Sequence, residues 1–277
     1  MPFNRNQRRI MFNAIRNLFR PKPRAPLPAV PPGTRYYVIG DIHGRMDLYA
    51  AMIGAIEDDD ASRPEADSHV ILLGDLVDRG PDSAGVISRT RQWQGERSVR
   101  VLAGNHEEMF LNSFKKPEVL RHFLKHGGRE TVLSYGLSRK QFNAMNLDEL
   151  FALMPQLIPQ ADVDYMGDFE EMIIAGDYLF VHAGVDPALP LDQQKRADML
   201  WIRDRFLDHE GALEKVVVHG HTIFDKVMDC GNRIGIDTGA FRSGVLTALV
   251  LEDDQRRVLQ ACQTDGGPIE VFQGERA

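Results

Sequence analysis

The chain has 277 residues, 43% of them hydrophobic, and this length is enough for one large domain with a well-filled core. Its formal net charge is −7, yet residues 1–24 hold seven Arg or Lys and no acidic residue, which leaves 26 basic against 40 acidic side chains in the remainder. Such an acidic body repels nucleic-acid backbones, so stable binding of duplex nucleic acid is not expected.

Cysteine content and hydropathy indicate the cellular compartment of the protein. Only Cys230 and Cys262 occur, without CxxC spacing, so a disulfide framework is not expected and a reducing compartment fits best. No stretch approaches the ~20 apolar residues of a membrane span, and the first twenty residues lack the unbroken apolar core of a signal peptide. We therefore expect a cytoplasmic protein, and a monomer.

The first 33 residues predict a basic tail and a linker. Residues 8–20 place apolar side chains on one helical face and basic side chains largely elsewhere, which is typical of weak contact with an anionic membrane surface. A mobile tail, or a helix docked on its own domain, is the alternative. The proline-rich stretch that follows has no helical spacing and predicts an extended linker. The folded domain should occupy residues 34–277.

The next elements alternate between strands and helices. Short β-type runs are predicted at 36–39, 70–73 and 99–102, and helical patterns at 46–57 and 82–93 separate them. This βαβαβ order predicts parallel strands covered by helices, because a right-handed crossover helix is the usual connection between them.

The second half of the chain changes character. Residues 106–155 are mostly helical in pattern, with a break at Gly127-Gly128, and a helical cap insertion is predicted over about 106–165. Gly176-Asp177 lies between two β-type runs and indicates a hairpin. The β-type runs of this half predict a second sheet that contains antiparallel pairs; they lie at 170–174, 178–182, 215–219, 233–237, 244–251 and 256–262. The expected fold class is α/β, a four-layer αββα sandwich of two mixed sheets.

Glycine-flanked polar clusters follow several of these strands: GDIHG at 40–44, GDLVDRG at 74–80, GNHE at 104–107 and GHT at 220–222. Glycine lets the chain turn sharply, so that a short carboxylate or imidazole points into the crevice at the strand tips. Asp41 and His43 lie two residues apart and can chelate one ion together with Asp75. A second ion could be held by Asn105, His182 and His221, with Asp75 between the two.

These donors suit a pair of divalent ions, Mn by preference, with Fe, Zn, Co or Ni as alternatives. Two ions about 3.5 to 4 Å apart would activate a bridging water and clamp a phosphoryl group for in-line attack. Each cluster taken alone could be structural, since a GDxHG segment can be a capped turn and a single histidine at a strand end is often not a ligand. Their combination in compatible chain order favours the metal site.

The same segments, with HAG at 182–184 and HGHT at 219–222, resemble the calcineurin-like metallophosphoesterases, and most of all their phosphoprotein phosphatase branch. The similarity runs from about Tyr36 to Leu251. It implies that Asp41, His43 and Asp75 bind one metal and that Asp75, Asn105, His182 and His221 bind the other. It further implies that His106, paired with Asp78, donates a proton to the leaving alkoxide and that Arg79 holds phosphate oxygens.

Elementary chemistry supports these last roles. An alkoxide is a strong base, so an imidazolium held beside a carboxylate is a competent general acid. A second arginine would hold the remaining phosphate oxygens. The segment LWIRDR at 200–205 resembles the tryptophan-arginine segment of the family, and this resemblance implies Arg203 as the better choice and Arg205 as the reserve, although either could be a surface ion-pair residue.

The last motif indicates which branch of the family the chain resembles. In many other metallophosphoesterases this motif is GHxH, with a second histidine as ligand. This chain has Ile223 at that position, and phosphoprotein phosphatases also lack the second histidine. Asp237, in a later motif, is expected to be structural. The leading hypothesis is a Ser/Thr protein phosphatase. The alternative is a symmetrical bis(5'-nucleosyl)-tetraphosphatase or RNA-decapping-type hydrolase, and a noncatalytic binding protein comes third. Substrate choice should lie in the cap.

Overall fold

The structure is a computed structural model that describes residues 27–263 and 266–274. The segment 8–20, with its predicted membrane contact, lies outside the described residues. No helix in the described ranges has the length and apolar character needed to span a membrane.

Strands and helices are numbered here in chain order. The described strands are β1 (Thr34–Ile39), β2 (Asp67–Leu72), β3 (Val99–Val101), β4 (Met172–Ala175), β5 (Tyr178–Val181), β6 (Val216–His219), β7 (Met228–Asp229), β8 (Arg233–Gly235), β9 (Val245–Glu252), β10 (Gln255–Cys262) and β11 (Glu270–Gln273). The described α-helices are α1 (Met46–Ala61), α2 (Ser83–Glu96), α3 (Asn105–Ser113), α4 (Pro117–Phe123), α5 (Arg129–Ser134), α6 (Arg139–Ala144), α7 (Leu147–Leu157), α8 (Gln160–Gly167), α9 (Arg196–Trp201), α10 (Asp204–Leu207) and α11 (Ala240–Ser243). A π-helical turn, Leu124–Gly128, joins α4 to α5, and a 3₁₀ turn covers Leu191–Gln193.

The strands form two mixed sheets. The first has the order β11-β10-β9-β1-β2-β3, and the second β4-β5-β6-β8-β7. Strands β1, β2 and β3 are parallel neighbours, with α1 and α2 as their crossovers, so the predicted βαβαβ unit is confirmed. The predicted hairpin is also confirmed, because Ala175 pairs with Tyr178 in the antiparallel pair β4–β5.

Alternation along β1 shows how the layers are stacked. Val38 belongs to a buried apolar cluster that also contains Phe180 and Val218 of the second sheet, so this face packs between the sheets. Tyr37 and Ile39 point the other way, into a cluster with residues of α1 and α2. The outer face of the second sheet packs on α9 and α10. The expected four-layer αββα sandwich is therefore confirmed.

The chain packs against the domain slightly before β1. Val30 is buried, and its N–H donates to the carbonyl of Asp253 at 3.0 Å. The carbonyl of Ala29 accepts from the N–H of Asp177 at 2.9 Å. The end of the predicted linker is thus held between the β9–β10 turn and the β4–β5 turn, because the apolar side chain of Val30 fills space beside both sheets.

Two strands were not predicted from the sequence. Strand β7 has two residues, and β11 is a four-residue edge strand with mostly exposed side chains. Neither offers an alternating apolar pattern long enough to mark a strand.

Candidate metal centre and phosphate site

The predicted ligands lie at one edge of the two sheets. Asp41 and Asp75 follow β1 and β2, and Asn105 begins α3 directly after β3 and a short turn. His182 and His221 follow β5 and β6, which are parallel neighbours in the second sheet. Carboxyl ends of parallel strands share an edge, so residues far apart in sequence converge there.

The backbone at this edge is strained. Positive φ angles occur at His43 (47°), Asp75 (51°), Asp78 (73°), Arg79 (70°) and His221 (62°), and the one other non-glycine example in the described ranges lies in a surface turn. A non-glycine residue held in this region costs on the order of 1–3 kcal/mol and persists only where its surroundings fix it. Five of the six positive-φ non-glycine residues of the described ranges lie at this edge, which makes it the candidate site.

Asp75 lies at the centre of the site. It shares one group of metal-type donors with His43 and His106 and another with His182 and His221, and within each group the donor atoms lie within 4.8 Å of one another. Burial alone would raise the pKa of Asp75, but the surrounding histidines, His182 first among them, lower it strongly. Asp75 is therefore a carboxylate with access to both groups.

The second group contains atoms that lack a complementary partner. His182 Nδ1 donates to the Leu73 carbonyl at 2.8 Å, so the lone pair of Nε2 faces Asn105 Oδ1 at 2.9 Å. His221 Nδ1 lies 2.7 Å from the same Asn105 oxygen, and within the described ranges His221 Nε2 is buried without a hydrogen-bond partner. Burial lowers the pKa of His182, and it lowers that of His221 to about 2. The His182 lone pair that faces an amide oxygen, and the buried Nε2 of His221 that has no partner among the described residues, fit a cation.

Asp41 is brought to the same edge but falls outside both groups of donors. Its carboxylate accepts the His221 N–H at 3.0 Å, and a Cβ at Gly220 would lie 2.0 Å from its Oδ1, so glycine is required there. Burial, together with Asp237 and Asp75, raises the pKa of Asp41 well above its usual value. Asp237 has a pKa raised to about 6, mainly by burial, and its Oδ2 has no partner in the described ranges. This excess of buried carboxylate also suits a cation.

The four histidines of the site divide into two kinds. Burial lowers the pKa of His43, as it does those of His182 and His221. His106 differs: burial opposes its charge, but the carboxylates of Asp75 and Asp78 outweigh that effect and raise its pKa. A neutral imidazole can bind a metal and an imidazolium cannot, so His106 fits the role of proton donor even though it lies within one of the donor groups.

Asp78 and Arg79 stand beside His106. Asp78 Oδ2 lies 2.6 Å from His106 Nδ1. The guanidinium of Arg79 spans two imidazoles, with Nη1 2.9 Å from His43 Nε2 and Nη2 2.9 Å from His106 Nε2, and it lies over the ring of Phe241. The structure therefore joins the predicted proton donor, its carboxylate partner and the first predicted phosphate ligand.

The two arginines of the LWIRDR segment have different surroundings. Arg205 forms ion pairs with Asp186 at 3.0 Å and with Asp198. The guanidinium of Arg203 has no hydrogen bond or ion pair with any described residue, and its charge contributes to the lowered pKa values of His182 and His221. Arg203 is therefore near the site and available, whereas Arg205 is held at the surface.

Sequence reasoning gave no role to two buried residues that contact the site. Glu107 is fully buried and accepts backbone N–H groups of Asp75 and Leu76 at 2.9 and 2.7 Å. The hydroxyl of Thr131, in α5 of the predicted cap, donates to Asp78 Oδ1 at 2.6 Å. A glutamate at the third position of a helix is a known capping signal and could have drawn attention to Glu107. The sequence around Thr131 carries no comparable signal.

The chain is similar to known proteins over most of its length. A family model described as calcineurin-like phosphoesterase matches residues 34–242. The chain is 29% identical over 216 residues to serine/threonine-protein phosphatase 1 of Salmonella typhimurium strain LT2, covering 76% of this chain and 89% of that protein. It is 26% identical over 231 residues to the asymmetrical bis(5'-nucleosyl)-tetraphosphatase PrpE of Anoxybacillus flavithermus, covering 77% of this chain and 89% of that protein.

A solved structure described as that of a candidate diadenosine tetraphosphatase superposes with a TM-score of 0.57 at 20% identity, covering 91% of this chain and 100% of that chain. This likeness supports the fold. The family match takes in β1 to β8 and every predicted site residue. The chain therefore belongs to the calcineurin-like phosphoesterase family and is a metal-dependent phosphoesterase.

Proposed function

We propose that this enzyme removes phosphate from phosphorylated Ser or Thr side chains of proteins, with a pair of divalent cations as cofactor. The position of Asp75, shared by two groups of metal-type donors, carries the proposal. One carboxylate between two sets of donors is suited to joining two cations that hold a phosphoryl group from both sides.

The donors divide between two cations. The first would be held by Asp41, His43 and Asp75, and the second by Asp75, Asn105, His182 and His221. When bound, such cations place positive charge on the phosphoryl oxygens and lower the pKa of a water. Mn is the cation proposed, because the donors combine carboxylate and amide oxygens with imidazole nitrogens.

His106 is proposed to protonate the leaving oxygen, and Asp78 to keep the imidazolium charged and oriented. A proton on His106 Nε2 and the hydrogen bond from Arg79 to the same atom exclude each other. A bound phosphate competes for the Arg79 guanidinium, because an arginine fork matches two phosphate oxygens. Binding of phosphate and presence of the proton at Nε2 are thereby linked. Arg203 is the proposed second phosphate ligand.

The proton donor also favours one substrate class. Departure of a Ser or Thr alkoxide needs a proton, whereas a phosphate leaving group is a weaker base and needs it less. A buried Asp78–His106 pair, at 2.6 Å, is therefore more useful to a protein phosphatase than to a polyphosphatase. The similarity to serine/threonine-protein phosphatase 1 of Salmonella typhimurium points the same way.

A second substrate class, dinucleoside tetraphosphates or capped RNA ends, is favoured by two exposed basic side chains of the cap. Arg121 and Lys125 are exposed in the cap, and no ion pair with a described residue involves either. The Gly127 carbonyl accepts the Arg79 N–H at 3.0 Å, so this segment adjoins the phosphate site. Additional cations there would suit a substrate with several phosphates.

The test compares turnover of a phosphoserine peptide and of diadenosine tetraphosphate by the Mn-loaded protein. We expect the higher kcat/KM with the phosphopeptide. A preference for the dinucleotide by orders of magnitude would instead select the alternative, and the nucleotides released would show where it is cleaved. Inertness toward both substrates at full metal loading would reject both versions.

The variant His106→Asn separates binding from proton donation. We expect it to retain the metal content of the parent and to lose about 100- to 10,000-fold in kcat on the phosphopeptide. The matched variant Asp75→Asn should lose metal. Unchanged turnover of His106→Asn would refute the proton-donor assignment.

A further inference from the structure

We propose that Thr131, which belongs to the cap, is a positioning residue for the proton donor. The inference rests on the proposed roles of Asp78 and His106. Thr131 lies in α5 and is fully buried. Its hydroxyl donates to Asp78 Oδ1 at 2.6 Å, while Asp78 Oδ2 contacts His106 Nδ1 at 2.6 Å. Both oxygens of the carboxylate are therefore fixed, one by the cap and one by the imidazole that it orients.

The same hydroxyl fixes the backbone of Asp78. The Asp78 N–H lies 2.9 Å from Thr131 Oγ1 and 3.0 Å from Ser83 Oγ. Asp78 has a φ of 73°, a conformation that persists in a non-glycine residue only when its neighbours hold it. Thr131 thus stabilises both the main chain and the side chain of this residue.

All hydrogen-bonding sites of the Thr131 hydroxyl are occupied. A hydroxyl has one donor and two acceptor sites. The donor is used on Asp78 Oδ1, and the acceptor sites are used by the Asp78 N–H and by the Ser83 hydroxyl at 3.0 Å. No other group on Thr131 could replace these bonds, and all three residues are buried. Loss of the hydroxyl leaves Asp78 Oδ1 buried without a donor.

This geometry predicts a particular kinetic defect. Without Thr131, the Asp78 carboxylate can rotate and no longer holds the His106 ring in one orientation. Phosphate binding through Arg79 and metal binding through Asp75 do not involve the hydroxyl. Ser83 Oγ still accepts the Asp78 N–H at 3.0 Å, so the defect should fall mainly on proton donation, and it should grow with the basicity of the leaving oxygen.

The test measures Thr131→Val on two substrates, a phosphoserine peptide and p-nitrophenyl phosphate, at equal Mn content. The alkoxide leaving group needs the proton and the nitrophenolate barely does. We expect kcat on the peptide to fall by about 10- to 100-fold, kcat on the aryl ester to fall by less than about threefold, and both KM values to be retained. Thr131→Ser, which restores the hydroxyl, should recover most of the peptide activity.

Thr90→Val is the matched control. Thr90 is also a fully buried threonine, and its hydroxyl bonds to the Val86 carbonyl at 2.8 Å and to the Tyr49 hydroxyl at 3.1 Å, away from the site. It should lose stability without any change in the ratio of the two activities. If Thr131→Val does not fold, Thr131→Cys keeps a similar volume with a weaker donor and should show the same selective loss in smaller degree.

An equal loss on both substrates, or a selective loss in Thr90→Val, would overturn the inference. His106→Asn, measured on the same pair of substrates, separates a failure of the Thr131 role from a failure of the proton-donor role of His106. If His106→Asn discriminates between the leaving groups and the Thr131 variants do not, only the role of Thr131 fails. If His106→Asn does not discriminate, the proposed proton donor itself fails.

Discussion

The carboxylate of Glu107 accepts a hydrogen bond from the backbone N–H of Asp75 at 2.9 Å. The same oxygen accepts from Gly104 at 2.9 Å, and the other accepts from Leu76 at 2.7 Å and from Val77 at 3.3 Å. The buried side chain of Glu107 thus links the strained turn after β2 to the start of α3 by hydrogen bonds. Burial, aided by the charge of Asp75, raises the pKa of Glu107 to about 7, although the backbone N–H groups oppose that rise.

The variant Glu107→Gln tests whether these hydrogen bonds hold the turn in place. The amide keeps one acceptor oxygen and turns an NH2 toward N–H groups that the second carboxylate oxygen had accepted. We expect a loss of about 3 kcal/mol in the free energy of unfolding, because unsatisfied buried groups cost roughly 1–3 kcal/mol each. Mn content should fall as well, because Asp75 loses its fixed turn. Urea unfolding and metal analysis measure both, and Glu118→Gln, an exposed helix position, is the control. Parent-like metal content in Glu107→Gln would contradict the role.

The contrast between Asp75 and Glu107 shows what the sequence could predict. Asp75 was predicted because its signal is local: a glycine, a carboxylate and the end of an apolar strand. The function of Glu107 depends on N–H groups about thirty positions earlier in the chain, and that of Thr131 on Asp78, 53 residues away. Such contacts exist only once the sheets and the cap are packed. For the second phosphate ligand the sequence already favours Arg203 over Arg205, and the packed structure adds the ion pairs that hold Arg205 to Asp186 and Asp198.

Gly127→Ala tests the contact between the cap and Arg79. Gly127 has a φ of 110°, and an added Cβ would lie 2.7 Å from Arg79 Cγ and 2.9 Å from its backbone nitrogen. We expect a loss of about 1–3 kcal/mol in stability from the backbone conformation alone. Displacement of Arg79 should also raise KM for p-nitrophenyl phosphate and weaken inhibition by inorganic phosphate.

Gly54→Ala supplies the control for this variant. An added Cβ at Gly54 meets nothing within 4 Å, and the residue lies within α1, so alanine there should stabilise the protein by about 0.5–1 kcal/mol. Its KM should match that of the parent. A Gly127→Ala protein with parent-like phosphate inhibition would show that the cap does not position Arg79.

Arg203→Ala and Arg205→Ala form a matched pair on the second phosphate ligand. Arg203 has no ion pair with a described residue, whereas Arg205 pairs with Asp186 and Asp198 and its side chain is 56% exposed. We expect Arg203→Ala to weaken competitive inhibition by inorganic phosphate about 10- to 100-fold, as loss of a charge-assisted contact does. Arg205→Ala should change it less than about twofold, since exposed ion pairs contribute little. If Arg205→Ala weakened phosphate inhibition more than Arg203→Ala, Arg205 would be the second phosphate ligand.

His219 provides a prediction on pH. It is buried between Phe206 and Phe224, and burial lowers its pKa to about 4. An unfolded chain has the ordinary histidine pKa of about 6.5, so between these values the unfolded state binds more protons and stability falls as the pH falls. The contribution is fully present above pH 6.5, and roughly 3 kcal/mol is lost by pH 4. Urea unfolding of the metal-free protein across this range should show a smaller decline in His219→Leu than in the parent. Parallel declines in the two proteins would mean that another buried group is responsible.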